Sequence, residues 1–222
     1  MIKRIAYAPS CSGLNSFAPY EGRVRSLLSR FDALTGRDAN TLELVRGLGI
    51  PAIERVVDPT LLVDFDTLEQ PSGVHQPYLL LYGRLPAWSF EPLKRFAHQR
   101  CLRIVNVLNL SPIADRSYPF VLPGRWIGFF RSAAAVVTSA FHGVMFSVKF
   151  HRPFLALPAS GKSAKICDAL SALCLEDRVI EDASALEDRP MDETAFRKYQ
   201  THEVLEPLIV GSREYLRRSL DG

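Results

Sequence analysis

His142 carries the one imidazole in this chain whose surroundings suggest acid–base work near neutral pH. It lies in Ser139-Ala140-Phe141-His142-Gly143, between the apolar run Ala134–Thr138 and an amphipathic stretch that reads as a helix entered at Phe141. A residue so placed sits at a strand's carboxyl end and a helix's amino end. Helix-start N–H groups attract anions there, and open α/β sheets bind ligands there. Ser139 is positioned to cap the helix by accepting a first-turn N–H, and Gly143 lets a ligand or a neighbouring backbone come close. Arg37 follows a second short apolar run and precedes a predicted helix at Asn40–Leu48. Its planar fork of donors suits a carboxylate or a phosphate; the blander reading pairs it with Asp38 or a carbonyl. Lys165 opens a later helix, where it or Lys162 either reaches an anion or stays a solvated loop lysine. Ser10 belongs to Pro9-Ser10-Cys11-Ser12-Gly13, a small-residue loop after a strand with the shape of a phosphate cradle.

The elements that must position these residues alternate strand and helix. Arg4–Ala8 reads as a strand, and Tyr20–Phe31 as a helix with Val24, Leu27, Leu28 and Phe31 on one face. Asp32–Thr35 is a brief strand; Gly49 and Pro51 end the helix after Arg37. Glu54–Val57 is a strand, and Asp58 bonds the turn that Pro59 stiffens. The polar stretch Asp66–Gln76 is the best linker. Beyond it come strands at Tyr78–Tyr82 and Arg103–Leu108, with a helix at Glu91–Arg100 between them. An irregular loop, Asn109–Pro123, has a length that usually carries function or flexibility. Pro123–Ser132 is a helix whose Trp126, Phe129 and Phe130 fall at core spacing, with Trp126 or the loop before it able to touch a substrate. The strand Pro153–Leu157 and the helix Ile166–Leu175 follow, then a polar loop at Asp182–Asp192. A closing helix, Val204–Leu220, is interrupted near Pro207. Apolar runs on both sides of a helix are what a parallel sheet covered on both faces requires, so the fold class is α/β.

Composition narrows the function classes. The 222 residues are nearly half apolar, enough for one large or two small cores. A net charge of +3 is too small to argue for nucleic acid. No apolar run approaches the length of a membrane span, and Met1–Tyr7 is a charged lead-in to a strand rather than a signal segment. Cys11, Cys101, Cys167 and Cys174 have no metal-ligand spacing, so no metal is expected, and a reducing cytoplasm is the simplest fit. Cys167 and Cys174, seven apart, are expected on one core face of a helix. Gly161-Lys162-Ser163 lacks the earlier glycine of a nucleotide-binding loop, since Leu157 and Pro158 occupy that region; ATP binding is excluded on that ground.

Several separated motifs, in order, resemble the polysaccharide pyruvyl transferase family. The signature is Thr138-Ser139-Ala140-Phe141-His142-Gly143 followed by a helix and by Arg152-Pro153-Phe154. Tyr7-Ala8-Pro9-Ser10, Gly36-Arg37-Asp38, Asp58-Pro59-Thr60-Leu61-Leu62 and Glu176-Asp177-Arg178 match further segments, and Ser212–Leu220 is similar to the last helix. The resemblance implies two Rossmann-like halves facing each other across a cleft, as in GT-B-type glycosyltransferases. The domains are then 1–65, the remainder of the first half; 66–200, the second half with the His-Gly site; and 201–222, a closing helix.

It further implies an enzyme that moves pyruvate from phosphoenolpyruvate onto two hydroxyls of a sugar, as a ketal, in a surface polysaccharide or its precursor. The acceptor is a sugar or a lipid-linked oligosaccharide, met in the cytoplasm or at the inner face of the membrane. Phosphoenolpyruvate is a substrate, and no cofactor is implied. His142 becomes the acid–base group and Arg37 the main donor clamp. The N–H groups of Phe141–Gly143 form an anion cradle beside Ser139, and Lys165 and Ser10 assist. Two departures stand out. Ala140 replaces an Arg or Ser of other members. The resemblance also implies a first half short by about a hundred residues, a domain-sized piece, whether through a misplaced start, a natural short form or a fragment, and a sheet edge that another chain could cover. Two alternatives stay open: a non-catalytic remnant or binding protein of the same fold, and a nucleotide-sugar glycosyltransferase.

Overall fold

The structure is a computed structural model and describes residues 2–50, 52–158, 163–188 and 202–221. The chain divides into two compact units, Met1–Leu62 with Thr201–Gly222, and Val63–Gln200. The closing helix, expected as a terminal element of its own, groups with the first unit.

In the first unit β1 (Ile5–Ala6), β2 (Ala33–Gly36) and β3 (Ile53–Arg55) form a parallel sheet in the order β1-β2-β3. Helix α1 (Glu21–Leu28) joins β1 to β2, and α2 (Ala39–Gly47) joins β2 to β3. Leu34, Leu42, Val45 and Ile53 make the buried cluster, with Leu28 packed partly against it. The face expected to bury α1 does not do so: none of its residues is buried, and Leu27 and Phe31 are exposed. The helix ends at Ser29, before Phe31, and a narrow three-stranded sheet offers it little surface. After β3 the short helix α3 (Pro59–Leu62) closes the segment.

The second unit holds a five-stranded parallel sheet. Its strands are β4 (Tyr78–Tyr82), β5 (Arg103–Val107), β6 (Arg116–Tyr118), β7 (Ala135–Thr138) and β8 (Phe154–Ala156), ordered β6-β5-β4-β7-β8. Helices α4 (Phe90–Gln99), α5 (Pro123–Ser132), α6 (Phe141–Lys149), α7 (Ser163–Ser171) and α8 (Ala183–Asp188) accompany it. Leu79, Leu80 and Leu81 are fully buried because successive side chains of β4 point to opposite faces and both are covered. Leu79 and Leu81 pack with Leu93 and Ala97 of α4 and Leu186 of α8. On the other face the Tyr78 hydroxyl donates to the Phe129 carbonyl at 2.7 Å, and the Tyr82 ring meets Trp126 and Phe130 of α5. Each fully buried leucine or phenylalanine contributes about 1.5–3 kcal/mol.

Several expectations are corrected. Asp66–Gln76 is no loose linker but a strap fixed to α5. Gln70 N–H donates to Gly124 O at 3.0 Å, the Arg125 guanidinium donates to Ser72 O at 2.9–3.0 Å, and Arg131 pairs with Asp66 and Glu69. A Cβ on Gly128 would lie 1.9 Å from the Gln70 carbonyl oxygen, so only glycine admits the strap. Asn109–Pro123 is not wholly irregular, since it contains β6. The polar stretch from Asp182 includes α8, the remainder from 189 lying outside the described residues. Helix α7 stops at Ser171, so Cys174 leaves the helical face and sits exposed in a left-handed turn (φ 55°), while Cys167 is half-buried. The closing helix, α9 (His202–Asp221), runs unbroken through Pro207. A proline there forfeits one backbone bond, and the buried Leu205, Ile209, Ser212 and Tyr215 hold the helix to its unit.

Candidate active site

The order of the second sheet reverses direction at β4. From β4 the chain steps outward to β5 and β6, then returns to the other side of β4 for β7 and β8. The crossovers therefore diverge between β4 and β7, the switch point at whose carboxyl-end crevice open α/β sheets bind ligands. Tyr82 and Thr138 face each other in register there.

The turns after Tyr82 and Thr138 build the crevice walls. After β4 comes Gly83, with φ +91°, whose Cβ would lie 2.4 Å from the Ser139 hydroxyl oxygen. Backbone conformation and space thus both demand glycine. After β7 the fully buried Thr138 turns the chain: its hydroxyl oxygen accepts the Ala140 N–H at 3.0 Å, while Ser139 N–H donates to Tyr82 O at 3.1 Å. Ser139 does not cap α6. Ala140 is the N-cap, in extended conformation, with no side-chain cap hydrogen bond. The correction has a local cause: Thr138 takes the turn-forming role one residue earlier, and Ser139 is drawn to the Gly83 side. A Cβ on Gly143 would fall 2.1 Å from the Thr138 hydroxyl and 2.8 Å from the Tyr82 ring. Its absence seats the first turn of α6 directly on the strand end.

His142 is exposed at that first turn, its ring 5.5 Å from the Phe141 ring, centroid to centroid, at 82°. The Lys165 ammonium, from the first turn of α7, lies 4.4 Å from the Phe141 ring centroid, a cation–π contact. Ser139, Phe141, His142, Gly143 and Lys165 therefore gather at one end of the second unit. Lys162 lies outside the described residues. Gly83 was missed by the sequence reading, although a glycine directly after an apolar strand is the signal that points to it.

Arg37 and Ser10 belong to the first unit. Arg37 leaves the carboxyl end of β2, and its guanidinium pairs with Asp58. Burial alone would raise the Asp58 pKa; the Thr60 hydroxyl and N–H, then Arg37, more than offset it and hold the carboxyl below its ordinary range. Asp58 also accepts the Thr60 N–H at 3.0 Å, the turn-bonding role expected of it. Asp38 caps α2 through the Thr41 N–H at 2.8 Å. Burial opposes its ionisation, but hydrogen bonds from Ser10 and Thr41 and the charge of Arg37 hold its pKa down. Ser10 is thus tied to a buried carboxylate. Among the described residues no cluster of three or more His, Cys, Asp or Glu could hold a metal, and no helix is long and apolar enough to cross a membrane.

Comparison with known proteins agrees with this architecture. The fold is similar to that of a putative UDP-N-acetylglucosamine 2-epimerase from Listeria monocytogenes, at 13% identity and a TM-score of 0.56, over 90% of this chain and 60% of that one. The chain therefore spans about 60% of the length of that protein. A dodecameric iron-containing glycosyltransferase, TibC, from enterotoxigenic E. coli aligns at 12% identity with a TM-score of 0.33, over 99% of this chain and 78% of that one. No curated protein matches the sequence. Residues 3–161 match the family model described as polysaccharide pyruvyl transferase, which takes in the strap, the crevice and the His-Gly helix start. By that match over most of its length, the chain belongs to the polysaccharide pyruvyl transferase family.

Proposed function

We propose that the chain transfers pyruvate from phosphoenolpyruvate to two hydroxyls of one sugar, as a ketal, in a surface polysaccharide or its precursor. The observation that carries this reading, beside family membership, is the juxtaposition of His142, the start of α6 and Lys165 at the crevice. The donor brings a carboxylate and a phosphate, which a helix amino end and an ammonium group suit. His142 in its protonated form gives a proton to the methylene carbon of the enol. The first sugar hydroxyl adds to the central carbon and returns its proton to the imidazole. The second hydroxyl attacks the same carbon, the bond to phosphate breaks, and the last proton leaves with inorganic phosphate. The chemistry asks for no group beyond donor and acceptor. The amides of Phe141–Gly143 and the Ser139 side chain are assigned to the donor with Lys165. Arg37 and Ser10 are assigned to it on the family resemblance alone. The reaction is placed in the cytoplasm, where phosphoenolpyruvate is available.

The test is calorimetric titration of the full chain with phosphoenolpyruvate, together with phosphate release in the presence of sugar acceptors. Saturable binding that weakens in Lys165→Ala is expected. His142→Ala should lower turnover by about 10²–10⁴-fold while its melting temperature holds, since the side chain is exposed. A folded wild-type chain that ignores phosphoenolpyruvate but binds a nucleotide sugar would overturn the reading.

A further inference from the structure

Phe141 opens α6 and touches two groups of the site with one ring. Its centroid lies 4.4 Å from the Lys165 ammonium and 5.5 Å from the His142 ring centroid, the two rings standing at 82°. The ammonium and the imidazole are therefore no more than about 10 Å apart, close to one screening length at ordinary salt. Lys165 comes from the crossover after β8, so this single ring joins the first turns of α6 and α7.

The place of Lys165 is electrostatically unfavourable on its own. An ammonium group in the first turn of a helix opposes the helix dipole, and the amino end of α6 beside it carries the same sign. Ala140 offers α6 no side-chain cap to offset this. The face of an aromatic ring carries the negative part of its quadrupole and attracts a cation. Phe141 supplies such a face, and it holds the ammonium where two helix ends already favour an anion. Phe141 and Lys165 are both half-buried, which strengthens the contact relative to an exposed pair. A leucine would occupy similar space without that face, so the aromatic character of residue 141 has an electrostatic use apart from packing.

We infer that Phe141 is a positioning residue: its ring face holds the Lys165 ammonium at the start of α6, where an anionic group of the donor binds. The inference rests on the proposed function for the identity of that donor. Phe141 itself takes no part in proton transfer. Its ring pre-orders a long, rotamer-rich side chain, which lowers the ordering cost of binding. Loss of the ring face weakens the donor equally in the ground state and the transition state, so KM rises and kcat stays nearly unchanged.

The experiment titrates phosphoenolpyruvate by calorimetry into the full chain carrying mono-, di- or trifluorinated phenylalanine at position 141, and into Phe141→Leu and Phe141→Trp. Fluorine withdraws electrons from the ring face and keeps the ring's shape. Melting temperatures should therefore hold while affinity falls stepwise with each fluorine. Phe141→Leu should weaken binding about fivefold, and Phe141→Trp should retain it. In Lys165→Met the fluorine series should lose its effect, because the ring then has no cation to hold. Affinity that ignores fluorination, or a fluorine series that persists in Lys165→Met, would overturn the inference. So would a fall in kcat as large as the rise in KM. The same pattern with inorganic phosphate, in a chain that never binds phosphoenolpyruvate, would keep Phe141 as a positioning residue and sink the transferase reading. A folded wild type that binds neither anion would sink both.

Discussion

Replacing Arg37 by alanine tests whether its first duty is to the fold. Arg37 and Asp58 leave the carboxyl ends of neighbouring strands, with Gly36 and Arg55 in register. The Asp58 side chain is only 3% exposed, and that of Arg37 17%. Without the guanidinium, Asp58 keeps the bonds from Thr60 but must hold a buried charge with no cation beside it. Breaking a buried pair from one side costs about 3 kcal/mol or somewhat more. For a chain of this size that lowers Tm by roughly 6–12 °C. The pH dependence comes from the depressed pKa of Asp58. A carboxylate whose folded pKa lies below its unfolded value of about 4 stabilises the fold above that pH, and the contribution fades as pH falls through the folded pKa. The gap between wild type and Arg37→Ala should therefore be widest near neutrality and narrow in acid. Adding Asp58→Asn to Arg37→Ala removes the stranded charge and should recover part of the loss. Thermal melts followed by circular dichroism between neutral and acidic pH make the measurement. An Arg37→Ala melting temperature within the error of wild type at neutral pH would refute the argument, as would a double variant no more stable than the single one. A phosphoenolpyruvate titration of the same variant reads the donor role separately.

Other consequences can be checked with simple variants. Gly128→Ala drives a methyl group into the Gln70 carbonyl; it should destabilise by about 1–3 kcal/mol and expose the 66–76 strap to limited proteolysis. Gly83→Ala meets both the Ser139 hydroxyl and a positive φ, so it should perturb donor binding along with stability, seen in calorimetry and in melts. Burial pushes the Tyr78 hydroxyl up to about 12 and raises Tyr7 and Tyr82 as well, so in an ultraviolet titration part of the tyrosine signal should appear late and Tyr78→Phe should remove some of that late part. Because the folded pKa exceeds the unfolded one, this group's contribution is whole below pH of about 10 and is lost as pH rises toward the folded value. Tyr78→Phe removes the bond to Phe129 O and should cost about 1 kcal/mol by denaturant melts.

The central strands and their helices were legible in the sequence. Runs such as Tyr78–Tyr82 and 135–137 are apolar because a strand covered on both faces has little room for polar residues. Pro123 marks the start of α5 because a first-turn proline gives up no helix bond. The His-Gly helix start was legible for the same local reason: strand, turn and helix are contiguous in the chain. The pairing of Arg37 with Asp58 was not, since it joins residues 21 apart through the register of β2 and β3. Nor was the docking of the strap, which shows in the sequence only as two glycines in a helix. Gly83 and Ser139 meet only because the sheet order sets β4 beside β7. Lys165 reaches Phe141 because α7 begins beside the first turn of α6. The sequence by itself determined which segments become strands and helices and which residue types could do chemistry, because those depend on local periodicity and conformational preference. Tertiary structure alone decided which of those residues stand together and which carboxylates are buried, because strand register and sheet order arise from contacts between segments far apart in the chain.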